Sequence, residues 1–291
     1  MSDPAALLEP LIAIASRHAS TRDARTAVPG LSIWSAHARS KPIPGLFEPA
    51  FYLLAQGAKR LSFADREYAF GPGMCAVALV GLPFSSRVVD ASTSKPYLGL
   101  AVRLDASVIA GLLIDMSDPP AKRPDTITIM QADQRVLEPL GRLLGLLDSP
   151  ADIAILAPQF EREFCYRLLQ GPMGSQLREM GGYGPRFWQI RKAAEWIATH
   201  ADQPMHIAQL AEEIGMSVTS FHRHFKAITG HAPLAYQRYI RLLHARQQLA
   251  AGTGNVTSIA FAAGYASASQ FSREYKKCFG VSPVSDLLKS A

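Results

Sequence analysis

Apolar positions along the chain change their spacing twice. Residues 5–19, AALLEPLIAIASRHA, place them at helical intervals around one proline and predict a first helix. Over residues 31–104 they come in short runs instead: LSIWSAHA, AFYLLAQG, RLSFAD, REYAF, MCAVALV, SSRVVDA and YLGLAVRL. Turn signals at residues 41–45 (KPIPG), Gly57, residues 71–73 (GPG), 81–83 (GLP) and 95–96 (KP) separate the runs. Closely spaced strands with this punctuation predict a β-sandwich or small barrel, whose interior can hold a ligand. After Asp105 the helical period returns. In QRVLEPLGRLLGLL, residues 134–147, Leu137, Leu140, Leu144 and Leu147 form one stripe, and Ile155, Phe160, Phe164 and Leu168 continue the pattern over residues 152–170. The stripe fits either core packing or contact with a second copy of the chain, and its pattern does not separate the two.

Residues 171–185, GPMGSQLREMGGYGP, hold five glycines and two prolines and read as a linker. That divides the chain into a domain over 1–170, a linker over 171–185 and an all-helical domain over 186–291, an α+β two-domain organisation. The helical part contains a repeat. FHRHFKAITGHAP (221–233) is echoed fifty residues later by FSREYKKCFGVSP (271–283), and Ala211 and Gly215 by Ala260 and Gly264 at an offset of 49. In each copy two short helical segments flank a glycine turn, the helix-turn-helix pattern. Ser217 is placed to cap the second helix of the first copy, and Ile214, Phe221 and Phe225 supply its buried face. At about 100° per residue, Thr219, His222, Arg223 and Lys226 then turn outward, as do Ser269, Gln270, Ser272, Arg273, Lys276 and Lys277 in the second copy. Between the copies, residues 235–250 predict a helix of about 24 Å, a spacer between two recognition helices for successive major grooves about 34 Å apart.

Charge sharpens this picture. Residues 1–183 carry 18 basic and 18 acidic side chains, whereas residues 184–291 carry 12 and 6, so the whole net charge of +6 lies with the repeat. A polyanionic partner accounts for that asymmetry, and a merely solvated basic face is the plain alternative. Arginine can contact guanine O6 and N7 together, whereas Lys226 suits phosphate.

These motifs, LAEEIGMSVTSFHRHFKAITGHAP, RLLHARQQLA and IAFAAGYASASQFSREYKKCFGVSP, resemble the DNA-binding domain of the AraC/XylS-type bacterial transcription regulators. The resemblance covers about residues 187–290 and implies that Thr219, His222 and Arg223, then Ser269, Ser272 and Arg273, contact double-stranded DNA. One departure is His206, which stands where the family often has a Ser or Thr helix cap. Less specifically, residues 48–105 resemble the cupin-like sensor domains of this family, which bind an effector, dimerise, or both. An unidentified small-molecule effector, a second copy of the chain and RNA polymerase are the partners expected beside DNA. Candidate effector-pocket residues are Trp34, Phe51, Tyr52, Gln56, Lys59 and Arg103. An effector is expected to act by changing how residues 134–170 pack on a partner chain or on the DNA-binding domain.

The contrasting reading is a cupin-type enzyme or small-molecule binding protein. Metal-binding cupins need several converging His and a carboxylate, but the strand region contains only His37. His222 and His224 point about 200° apart on a helix and cannot share an ion. No G-x-S-x-G, P-loop or H-E-x-x-H motif occurs in the sequence. No metal or other cofactor and no catalysis are therefore expected. Three cysteines, Cys75, Cys165 and Cys278, argue against a disulfide framework. Cys75 reads as a buried hydrophobe or a redox sensor, and Cys278 as core. With no secretory signal or membrane-spanning run in the sequence, a cytoplasmic protein is expected.

Overall fold

The structure is a computed structural model and describes residues 4–20, 24–63, 66–116, 128–178 and 185–290. Helix α1 (Pro4–His18) precedes strands β1 (Leu31–Ala36), β2 (Ile43–Phe47), β3 (Ala50–Gln56), β4 (Ala58–Phe63), β5 (Arg66–Phe70), β6 (Met74–Ala78), β7 (Leu82–Asp90) and β8 (Tyr97–Arg103). Then come α2 (Ala106–Asp115), β9 (Thr128–Gln131), α3 (Gln134–Gly145), α4 (Ile153–Gln170) and α5 (Gly174–Arg178). The strands form two antiparallel sheets, ordered β1-β8-β3-β6-β9 and β2-β7-β4-β5. The expected barrel is therefore a double-sheet, cupin-like jelly roll whose sheets face each other without closing into one ladder.

Strand β2 escapes the alternating pattern, and β7, expected from the run at 85–91, starts earlier than that run. β2 lies across the 41–45 turn signal and β7 begins within the 81–83 signal. Both tolerate proline because Pro44 sits on an edge strand that pairs only with β7, and Pro83 is the second residue of its strand. β9 has four residues, too few to show a period.

Alternation on β3 separates two environments. Ala50, Tyr52 and Leu54 face the space between the sheets, while Phe51 packs edge-on against Phe164 of α4, ring centres 5.2 Å apart. The helices α1, α3 and α4 thus cover one sheet. The leucine stripe is core: Leu137, Leu140, Leu144 and Leu147 are all within 6% of full burial, with α3 packed between α1 and α4. Ile155 departs from the stripe, 69% exposed in the first turn of α4. The glycine-rich stretch is not linker throughout, since Met173 and Leu177 are buried in this same core. Residues 179–184 of the expected linker lie outside the described residues.

The remaining chain is helical: α6 (Pro185–Thr199), α7 (Ile207–Glu213), α8 (Val218–Thr229), α9 (Pro233–Ala250), α10 (Val256–Ala262), α11 (Ala268–Phe279) and α12 (Pro283–Ser290). It has two small cores. One joins Ile190, Ile197, Leu210, Phe221, Phe225, Tyr236 and Ile240; the other joins Leu242, Leu249, Ile259, Phe271 and Tyr275. The single helix α9 serves both, its first half in one core and its second half in the other.

The cysteines are free thiols, Cys75 and Cys165 buried and Cys278 half-buried. Burial pushes the Cys75 and Cys165 thiols up to about 12 and Cys278 to about 11. They pack as small apolar side chains, which gives Cys75 no reactive thiolate at neutral pH. The native protein at pH 8 should therefore react slowly with a chromogenic disulfide reagent and release all three thiols only in denaturant; fast labelling of Cys75 in the native state would contradict its burial. Leu140→Ala should cost about 2–5 kcal/mol in a denaturant titration. A change in self-association at unchanged stability would instead mark the stripe as an intermolecular face.

Candidate functional site

Each helix-turn-helix unit is built by the same local physics. The turns use Gly215 and Gly264 in the left-handed region, φ 68° and 78°, which costs a glycine little. Beyond each turn a serine caps the next helix: Ser217 Oγ accepts from the Ser220 amide at 3.3 Å and Ser267 Oγ from the Gln270 amide at 3.2 Å. The two recognition helices, α8 and α11, are both 12 residues long and both end at a left-handed glycine, Gly230 and Gly280. His206 gives α7 no side-chain cap, whereas Asn255 caps α10 by accepting from the Ser258 amide at 2.8 Å.

All the contact residues expected from the sequence reach the surface. Thr219, Arg223, Lys226, Ser269, Gln270, Arg273 and Lys276 are exposed, and His222 and Ser272 half-buried. Among the described residues, Arg223, Lys226, Arg273, Lys276 and Lys277 have no carboxylate within ion-pairing distance. Both helices therefore present uncompensated positive charge. Arg223 lies beside His224, guanidinium nitrogen to Nε2 at 3.4 Å.

Sequence reasoning missed the acid on α11. Glu274 is half-buried and accepts from Tyr265 Oη at 3.0 Å and from Gln270 Nε2 at 3.4 Å, with Arg238 of α9 3.6 Å away. Its spacing from Gln270 was the available signal, since residues four apart share a helix face. The pair ties Gln270 to its own helix.

Arg241, also on α9, holds the two units in register. Its guanidinium donates to the Ala201 carbonyl and, at 2.8 Å, to the Gln203 carbonyl of the first unit. It also lies against the turn of the second unit, where a Cβ on Gly264 would come within 3.4 Å of it. Buried Gln237 donates to the same Gln203 carbonyl at 2.8 Å.

The second candidate site is a cavity of about 550 Å³ between the sheets. Trp34, Tyr52, Lys59 and Arg103 line it as expected; Phe51 and Gln56 do not. Phe51 faces the helix layer. Gln56 follows a register shift between Leu54 and Gln56 that takes it off the cavity face, and it donates to the Pro96 carbonyl at 2.8 Å. The floor is aromatic: Phe47 stacks on Phe84 at 4.1 Å and meets Tyr52 edge-on at 4.7 Å. His37 is exposed, and among the described residues no three His, Cys, Asp or Glu side chains are grouped as a metal site.

The cavity wall also touches the helical half. Tyr239 of α9 donates to the carbonyls of Gly45 at 3.0 Å and Phe84 at 2.8 Å, both cavity-lining residues. Tyr236, one turn earlier, donates to the Gly81 carbonyl at 3.0 Å. The fit there is close, since a Cβ on Gly81 would lie 2.6 Å from the Tyr236 hydroxyl. Burial raises both phenol pKa values above their ordinary range, so both remain donors.

Known proteins match both halves of the chain. Residues 27–176 match the family described as AraC-type transcriptional regulator N-terminus, and residues 210–286 match a helix-turn-helix domain. A probable thc operon regulatory protein of Rhodococcus erythropolis is 37% identical over 34% of this chain and 30% of its own. The HTH-type transcriptional activator RhaS of Pectobacterium atrosepticum is 28% identical over 52% of this chain and 53% of its own. The chain thus spans about a third to a half of the length of these curated relatives. Among solved structures, apo ToxT from Vibrio cholerae superposes with a TM-score of 0.59 at 13% identity, over 92% of this chain and 100% of that one. ToxT bound to an unsaturated fatty acid gives 0.52 at 13% identity, over 89% and 94%. These structures show the shared two-domain fold. With a family match spanning more than half of its residues, the chain belongs to the AraC-type transcriptional regulators.

Proposed function

We propose that this chain is a transcription regulator that binds double-stranded DNA through α8 and α11 and responds to a small molecule held between the sheets of its jelly roll. The observation that carries this reading is the pair of equally long, serine-capped recognition helices with unpaired arginine and lysine side chains facing outward. At 18 residues, α9 is about 27 Å long, a strut that suits helices entering grooves about 34 Å apart. Thr219, His222, Arg223, Ser269, Ser272 and Arg273 are the base-contact candidates, and Lys226 and Lys276 the phosphate contacts. Residues 1–170, together with the 173–177 segment that packs in the same core, form the effector domain, and 186–291 the DNA-binding domain. The family supports a second copy of the chain and RNA polymerase as further partners, and a place in the cytoplasm with the DNA. Among the described residues no helix is long and apolar enough to cross a membrane.

Contact geometry favours a coupling route different from the one expected through residues 134–170. Tyr236 and Tyr239 join α9 to β2 and β7, and the carbonyls that Tyr239 holds belong to the cavity wall. A ligand that moves this wall changes the docking of α9, provided it binds the docked and undocked arrangements with different affinity.

Selection of bound duplexes from a random pool tests the DNA reading. A preferred site should emerge whose affinity falls steeply with salt; a pool that enriches no sequence would contradict the proposal. On the selected site, Arg223→Ala should cost about 1–3 kcal/mol and relax base preference, whereas Lys276→Ala should weaken all sequences alike and lower the salt slope by about one. For the coupling route, Tyr239→Phe should speed amide exchange in β2, β7 and the first half of α9 while leaving α11 and α12 unchanged. Identical exchange in both proteins would remove Tyr239 from the route.

A further inference from the structure

The second helix-turn-helix unit carries a polar network that the first unit lacks. Glu274 of α11 accepts from Tyr265 Oη at 3.0 Å through one carboxylate oxygen and from Gln270 Nε2 at 3.4 Å through the other. Arg238 of α9 lies 3.6 Å from the oxygen that Tyr265 holds. In the first unit the positions of Tyr265, Gln270 and Glu274 are taken by Met216, Ser220 and His224, with no carboxylate or amide side chain among them. Both units bury the same two aromatic positions, Phe221 and Phe225 in one and Phe271 and Tyr275 in the other. The Tyr265 ring packs on Phe271, ring centres 5.4 Å apart, but its hydroxyl, Glu274 and Gln270 are differences that this core does not require.

The network fixes which edge of Gln270 faces outward. A carboxylate only accepts, so the Gln270 amide nitrogen turns towards Glu274. Tyr265 holds the carboxylate from the inner side, and burial raises its phenol above the ordinary range, so it stays a donor. One N–H of the Gln270 amide is then committed, and the other N–H and the carbonyl oxygen remain for a partner. Gln270 is exposed and stands three residues before exposed Arg273, about 60° from it around the helix and about 4.5 Å along it. That rise is close to the ~3.4 Å step between stacked bases, so the two side chains suit neighbouring positions of one site.

We infer that Gln270 reads an adenine in the major groove, and that Glu274 is a positioning residue that holds the amide for this contact. The inference rests on the reading of α11 as a recognition helix and deepens it. Of the four bases, adenine alone presents a donor beside an acceptor, its N6 amino group and N7, to the outward oxygen and N–H of a glutamine. Guanine offers two acceptors, O6 and N7, and the neighbouring Glu274 carboxylate repels them. Cytosine offers a donor and thymine an acceptor, each meeting only half of the amide. The first unit, with Ser220 at this position, has no equivalent reader.

The duplex selected by the full chain supplies the test, with each position changed in turn to the other three bases. One position should prefer adenine over guanine by about tenfold or more. Gln270→Ala should level that position to within about threefold and leave the preferences elsewhere intact. Glu274→Ala, with Gln270 still present, should lower the adenine-to-guanine ratio there by about threefold or more, without moving the preference at the position that Arg273→Ala levels. A carboxylate that only clips α11 to α9 would instead weaken all sequences equally. Where Glu274→Ala loses binding altogether, Glu274→Gln decides: it still accepts from Tyr265 but carries no charge to repel guanine, so the ratio should fall as well. Another base at the position that Gln270→Ala levels, no levelled position, or Glu274 variants that keep the wild-type ratio overturn the inference. A pool that enriches no site removes the DNA reading itself, whereas an enriched site without this adenine removes the inference alone.

Discussion

Helix α9 is the constraint around which the molecule is organised. Its 18 residues run unbroken from Pro233 to Ala250 and three bodies pack on them. Tyr236 and Ile240 complete the first helix-turn-helix core, and Leu242, Ala245 and Leu249 complete the second. Tyr236 and Tyr239 also bond to the backbone of the jelly roll. A rigid helix transmits a shift at one end to the other, so the spacing of α8 and α11 and their relation to the cavity wall are set by one element. Arg241, which bonds to the first unit and lies against the second, removes much of the remaining freedom between them.

Duplication followed by divergence gives the two units different attachments. The positions of Phe225 and Tyr236 in the first unit correspond, fifty residues on, to Tyr275 and Asp286 in the second. In the second unit the pair closes on itself: Tyr275 Oη donates to Asp286 at 2.7 Å, and Arg246 of α9 pairs with the same carboxylate at 2.8 Å. In the first unit Phe225 has no hydroxyl to donate, and the Tyr236 hydroxyl reaches the jelly roll instead. One substitution pattern thus yields a unit bound within its own domain and a unit docked to the sensor. The cavity and the recognition helices are linked through the docked unit.

Much of this was legible in the sequence because helix-turn-helix units are local. Ser217, Gly215, Phe221 and Phe225 each act within a few residues, and their repetition fixes outward faces without any long-range information. The jelly roll was less legible. β2 hides behind a proline-containing turn signal that its edge placement tolerates, the start of β7 hides behind another that its position at the strand's beginning tolerates, and Gln56 left the cavity because a register shift broke the alternation that would have kept it with Tyr52 and Leu54. The leucine stripe of α3 is amphipathic in either role, and only its packing between α1 and α4 distinguishes core from intermolecular face. Nothing local in the sequence marks Tyr236 and Tyr239, because their hydroxyl partners lie about 155–194 residues away.

The central claim is that a single strut presents two recognition helices to successive turns of one face of a duplex. Hydroxyl-radical footprinting of the full chain on its selected site measures this directly. Two protected patches on the same face, centred about 10–10.5 base pairs apart, are the predicted result. One patch the width of a single unit, or two patches on opposite faces, would contradict the account.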